Sequence, residues 1–198
     1  MDNIEYPYGA TPLDPDELDG LKFSHVKTRG ELDHLEAANI SEGFIWLKHK
    51  KKPKILTDSF AREFHRKLFG EVWEWAGTYR KTEKNIGVDP LQISVKVREL
   101  MDDVHFWIVN GVYEPVEIAT RFHHKLVYIH PFPNGNGRHA RYMADALLEI
   151  KLDKPPLKWS NADNLEVTSA KRKKYIHALQ IADQGIYDDL IEFVSRGN

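Results

Sequence analysis

The sequence predicts an all-α fold with one small β-hairpin flap. Apolar residues recur three and four apart in successive stretches, the spacing of one helix face. Gly87, Pro90, Gly111 and Pro131 fall where those stretches stop. One segment, about 82–90, has a shape suited to a hairpin, with Tyr79, Ile86 and Val88 around Gly87.

In chain order, residues 1–22 read as an N-terminal arm, with three prolines and six acidic residues and little to bury. Residues 23–198 read as one domain. Thr28 caps a helix ahead of Glu31, and Leu32, Leu35, Ala38 and Ile45 carry it to about Leu47. The run KHKKKPK at 48–54 reads as a solvated loop. Thr57 or Asp58 caps the next helix, whose Phe60, Phe64, Leu68 and Val72 form an apolar stripe. After the hairpin segment, a helix runs from about Leu91 to Asn110-Gly111, a usual stop. Pro115 opens another that runs to His130, where Pro131 ends it. A further helix covers about 138–150, and a last pair covers about 165–181 and 186–195.

Composition excludes several classes. Of 198 residues, 28 are Lys or Arg and 30 Asp or Glu, a net charge of −2, which argues against a nucleic-acid binder. The absence of cysteine excludes a disulfide scaffold, a thiolate metal site and a cysteine nucleophile. No apolar run is long enough to span a membrane, and the acidic N-terminus is not a signal peptide. The expectation is a soluble, cytoplasmic protein. The histidines His123, His124, His130 and His139 lack the His-x-x-x-His spacing of a helical metal site.

One string carries chemistry: His130-Pro131-Phe132-Pro133-Asn134-Gly135-Asn136-Gly137-Arg138-His139-Ala140-Arg141. His130 stands at a helix end, and imidazole is the side chain best suited to take a proton near neutral pH. Gly135, Asn136 and Gly137 precede a helix, where converging N–H groups hold anions. Arg138 and Arg141, three apart, are phosphate binders on one helix face. A base, an anion nest and two guanidinium groups within twelve residues suit transfer of a phosphate ester.

The string resembles the signature of Fic-domain proteins (filamentation induced by cAMP), His-Pro-Phe-x-x-Gly-Asn-Gly-Arg-x-x-Arg. The flank AGTYRKTEKNIGV also resembles the family. The pattern ELDHLEAANI resembles its members called mobile mystery protein B. The resemblance implies a mostly helical Fic fold and transfer of AMP from ATP to a Ser, Thr or Tyr hydroxyl of a target protein, with release of pyrophosphate. It implies His130 as general base, Phe132 as loop anchor, and Gly135, Asn136 and Gly137 as the anion hole. Arg138 and Arg141 would hold the phosphates, and the hairpin near 82–90 would be a flap that docks the target. The resemblance implies Mg²⁺ as cofactor beside ATP; Asn134 stands where the family has Asp or Glu to hold that ion, an amide oxygen is a weaker ligand for a hard cation, and the ATP phosphates would supply most of its ligands. The family's inhibitory helix would place its glutamate at Glu42, although Ala38 stands at the Ser/Thr position of that motif. Three readings stay open: adenylyl transfer, related phosphoryl transfer or AMP removal, and a catalytically weak module that binds nucleotide or a partner.

Overall fold

The computed structural model describes Tyr8 and residues 11–26, 28–159 and 170–196. Helix α1 (Pro15–Leu18) is a single turn, and α2 (Arg29–His49) is the longest helix. Thr28 caps α2: its hydroxyl accepts from Glu31 N–H, and the Glu31 carboxylate accepts from Thr28 N–H. Helix α3 (Asp58–Phe69) starts at Thr57, whose hydroxyl accepts from Phe60 N–H. A 3₁₀ turn (Pro90–Gln92) leads into α4 (Ile93–Asn110), which ends on Gly111 at φ 59°, a left-handed position glycine takes without strain. Helix α5 (Pro115–Ile129) ends on His130, and α6 (Asn136–Ala146) opens at Gly135. The last turns of α6 widen into a π-helix over Leu147–Leu152, where the sequence pattern suggests plain α-helix. Helices α7 (Ala170–Ala182) and α8 (Asp188–Arg196) close the chain. The part of the expected helix before Ala170 lies outside the described residues.

Two apolar cores result. The larger collects Leu32 and Ile40 of α2, Phe60, Phe64 and Leu68 of α3, the buried faces of α4 and α5, and Met143 of α6. The smaller lies between α6 and α7–α8, around Leu148, Tyr175, Leu190 and Phe193. The stripe expected on α3 is buried, with Phe64 and Leu68 fully enclosed. No helix among the described residues is long and apolar enough to cross a membrane.

The hairpin expected at 82–90 is not formed. Residues 82 and 85–88 are bends, and their neighbourhood bonds elsewhere: Val88 N–H donates to the Ile129 carbonyl (3.3 Å) and Arg80 N–H to that of Pro131 (3.0 Å). Gly87 at φ 109° and Pro90 break any ladder there. Among the described residues the β-type pairing is a single bridge between Leu21 and Trp73. Of the N-terminal segment, Leu13 is buried, and Asp14 and Glu17 grip Lys84, with Asp14 Oδ2 also accepting from the Thr82 hydroxyl at 2.8 Å.

Gly43 sets the approach of α2 to α3. A Cβ there would lie 2.9 Å from Leu68 Cδ2 and 3.0 Å from the Lys67 carbonyl oxygen. Backbone cannot yield as a side-chain tip can, so Gly43→Ala should cost about 1–3 kcal/mol despite alanine's better helix propensity. Urea denaturation checks this. Glu42→Ala, one residue away and exposed, should stay within about 0.5 kcal/mol of the parent.

Candidate active site

The site forms where α5 ends and α6 begins. His130 caps α5 in the left-handed region, at φ 52° and ψ 61°. That conformation costs a non-glycine residue roughly 1–3 kcal/mol and persists only where surroundings fix it. Arg80 fixes it. Its side chain is buried, and its guanidinium donates to the carbonyls of His130 (2.7 Å), Thr82 (2.8 Å) and Val88. A helix C-terminus leaves carbonyls without helical partners and carries partial negative charge, so a buried cation belongs there. The same side chain binds the 82–88 segment to the end of α5. Gly87 permits the close approach, since a Cβ there would meet Arg80 Nη2 at 2.6 Å and His130 Cβ at 2.8 Å.

His130 is 6% exposed, and neither ring nitrogen makes a well-aligned hydrogen bond. Burial pushes its pKa down to about 3, nearby Arg80 adds to this, and the Val127 carbonyl opposes it. The imidazole is therefore neutral at physiological pH.

The following loop is held from inside. Phe132 is fully buried, with its ring stacked on His65 at 3.7 Å. Asn136 Oδ1 accepts from Phe132 N–H (2.9 Å), and its Nδ2 donates to the Phe132 carbonyl (2.7 Å). Its side chain thus staples the loop, and its backbone N–H is left to the first turn of α6. His65 Nδ1 accepts from Gly77 N–H (3.0 Å), so its Nε2–H donates to the Asn134 carbonyl (3.1 Å). Gly135, at φ 75°, lies against Phe69, whose ring a Cβ would meet at 2.8 Å. The N–H groups of Asn136, Gly137 and Arg138 occupy the first turn of α6, where an α-helix leaves them without internal partners.

The two arginines diverge. Arg138 pairs with Glu36 of α2 (2.7 Å) over the face of the Phe69 ring, and Trp73 Nε1 also donates to Glu36 (2.7 Å). Arg141 is buried and faces the second core, where its charge acts on His123, Tyr175 and Asp145. Among the described residues, the α2 carboxylate paired with a signature arginine is Glu36. Glu42 is exposed and makes no ion pair among the described residues, and Gly43 beside it serves helix packing.

Asn134 Oδ1 accepts from Gly135 N–H (2.7 Å), and its Nδ2 donates to the Thr11 carbonyl (3.3 Å). Among the described residues no three His, Asp or Glu side chains converge as a metal site. Asn134 offers a cation one neutral amide oxygen, which already accepts from Gly135 N–H, so a Mg²⁺ ion there would draw most of its ligands from nucleotide phosphates and water.

Residues 55–148 match the model of the Fic/DOC family. The chain carries a Fic domain. The protein adenylyltransferase Fic of Nematostella vectensis is 29% identical over 177 residues, covering 86% of this chain and 39% of the relative. The chain therefore spans about two fifths of that relative's length. The Fic fold is shared with Fic-1 of C. elegans (22% identity, TM-score 0.67, covering 90% of this chain and 52% of that one). It is shared too with BepC of Bartonella tribocorum, solved with bound AMPPNP (17% identity, TM-score 0.63, 92% of this chain and 97% of that one).

Sequence reasoning identified the Fic signature but not its supports. Glu36 lies on the buried stripe Leu32–Glu36–Ile40, and a carboxylate on an apolar stripe is a readable sign. His65 sits likewise among Ala61 and Leu68. Arg80 and Lys84 lie in a charged loop with no periodicity to mark them.

Two outcomes follow for the Fic domain's stability. His123, His130 and His139 have pKa values pushed down to about 3 by burial, and His65 is also depressed. The unfolded chain titrates these groups near 6.5, so it binds more protons below that pH. Stability from neutral burial is complete above about pH 6.5 and is lost as pH falls toward 3, at up to about 1.4 kcal/mol per pH unit per histidine. Denaturant midpoints measured from pH 7.5 to 4.5 should fall accordingly. Arg80→Lys should cost about 2 kcal/mol or more, since one ammonium cannot reach all of those carbonyls. The same denaturation measurement reads it.

Proposed function

We propose that the chain is a protein adenylyltransferase acting on a hydroxyl side chain. The observation that carries this is His130: among the described residues it alone has two buried ring nitrogens without a well-aligned hydrogen bond, and it is neutral. A target Ser, Thr or Tyr hydroxyl gives its proton to His130, and its oxygen attacks the α-phosphorus of ATP. The bond from that phosphorus to the bridging oxygen breaks, and pyrophosphate leaves with the electron pair. His130 then returns the proton to solvent. The N–H groups opening α6 and the guanidinium of Arg138 take the phosphate charge, and Arg141 supports them from the second core. The names of the curated relatives and the AMPPNP bound by BepC support this reading. The segment 82–90, lying over His130, is the place for a target chain to lie alongside. With no cysteine to oxidise, a cytoplasmic setting suits it.

Glu36 also enters the proposal. Its carboxylate is a counter-ion of Arg138 and competes with phosphate for that guanidinium. Glu36→Gln keeps an acceptor for Trp73 and removes the charge. It should tighten binding of a non-hydrolysable ATP analogue several-fold by calorimetry, whereas Glu42→Gln should leave it unchanged.

The deciding experiment is incubation with a cell extract and ATP labelled at the α- or the γ-phosphate. Protein label from α only is expected. Label from γ would indicate phosphoryl transfer, and none from either would favour a binding module. His130→Ala should lower α-labelling by about 10²–10⁴-fold while leaving ATP-analogue affinity near that of the parent.

A further inference from the structure

Helix α4 buries Ile93, Val97, Leu100, Met101 and Val104. Its outer side is apolar at both ends. Leu91, on the turn leading into it, is 89% exposed, Val95 44%, Phe106 58% and Val109 67%. Between those ends stand Arg98 and Asp102, both exposed and neither in an ion pair among the described residues. Arg98 Nε donates to the Ser94 carbonyl within its own helix (3.1 Å). Four large apolar side chains on one side of this 18-residue helix, about 27 Å long, and the turn before it are more than the scattered exposure normal for a monomer surface.

The order of these residues is nearly symmetric about Leu100. Leu91 and Val109 are equally far from it, as are Arg98 and Asp102, and Val95 and Phe106 differ by one position. An antiparallel copy of the same helix, related by a two-fold axis at Leu100, would set Leu91 against the partner copy's Val109 and Val95 against its Phe106. It would set Arg98 against Asp102, twice. Opposite charges meet only in that arrangement: a parallel pairing in register sets Arg98 on Arg98 and Asp102 on Asp102. A two-fold interface requires that residue i meet j while j meets i, and this face meets that condition in both hydrophobicity and charge.

We propose that the outer face of α4 is a self-association surface that pairs two copies of this chain antiparallel about Leu100. One helix pair buries less than a standard interface, so the dimer forms in the micromolar range and responds to concentration.

Sedimentation velocity of the full chain from about 1 to about 200 μM tests this. The expected result is a monomer–dimer equilibrium within that range. Arg98→Asp and Asp102→Arg should each weaken self-association by about tenfold or more, since each sets like charges together twice. Mixing the two variants should restore a dimer, because every 98–102 contact in the mixed pair joins opposite charges. Both sites are exposed, and circular dichroism confirms that the variants fold. A parent chain that stays monomeric throughout, a dimer indifferent to both substitutions, or variants that stay monomeric when mixed would each overturn the proposal.

Discussion

The arrangement depends on one buried cation. Arg80 sits where three pieces of backbone converge: the last turn of α5, the left-handed residue that follows it, and the 82–88 segment. Without it, several carbonyls would face each other across a space closed to water. With it, the mutual repulsion of those carbonyls becomes their shared attachment. Arginine suits the position because its planar group donates in several directions at once and stays charged when buried. The strain in His130 is offset at the same point, so the candidate base and the rim over it are set by one side chain.

A second layer of control comes from histidines that do no chemistry. His65 receives a proton from one backbone group and gives one to another, so only its neutral form with the proton on Nε2 satisfies both. It holds the loop at Asn134 while its ring carries Phe132. His139 does the same work one turn into α6, donating to the Ala61 carbonyl at 2.9 Å. These rings act as polar spacers inside an apolar core. They fix the loop's height above α3 more firmly than leucines could, because a hydrogen bond has a direction.

How much was legible in the sequence varied with the kind of interaction. Helices α2 to α6 were readable because each buries one face, and a period of three to four exposes that face to inspection. The string from His130 to Arg141 was readable because its residues are adjacent. Arg80 was not, because its partners are backbone carbonyls up to 50 positions away and carry no residue identity. The missing hairpin has the same cause: the segment bends, and its neighbourhood bonds to backbone carbonyls at and just after the end of α5, which carry no residue identity. Glu42 drew attention through the Glu-Gly pair, where the glycine answers to Leu68 and Lys67. The functional-looking contact belongs to Glu36, six residues earlier on the buried face. The π-turn after Ala146 had no signal, since LLEIKL reads as ordinary helix.

The N-terminal contacts have a mechanical meaning. Thr11 touches the signature loop through Asn134, and Asp14 and Glu17 grip Lys84 on the rim. These points lie within seven residues of one another along the chain, yet they hold two separate parts of the site. Tension applied ahead of Thr11 would meet the loop before it met the rim, and the ion pairs would then resist as a catch. The segment from 11 to 17 is a load path: whatever pulls or docks upstream is felt first at the signature loop and only afterwards by the helices that carry it.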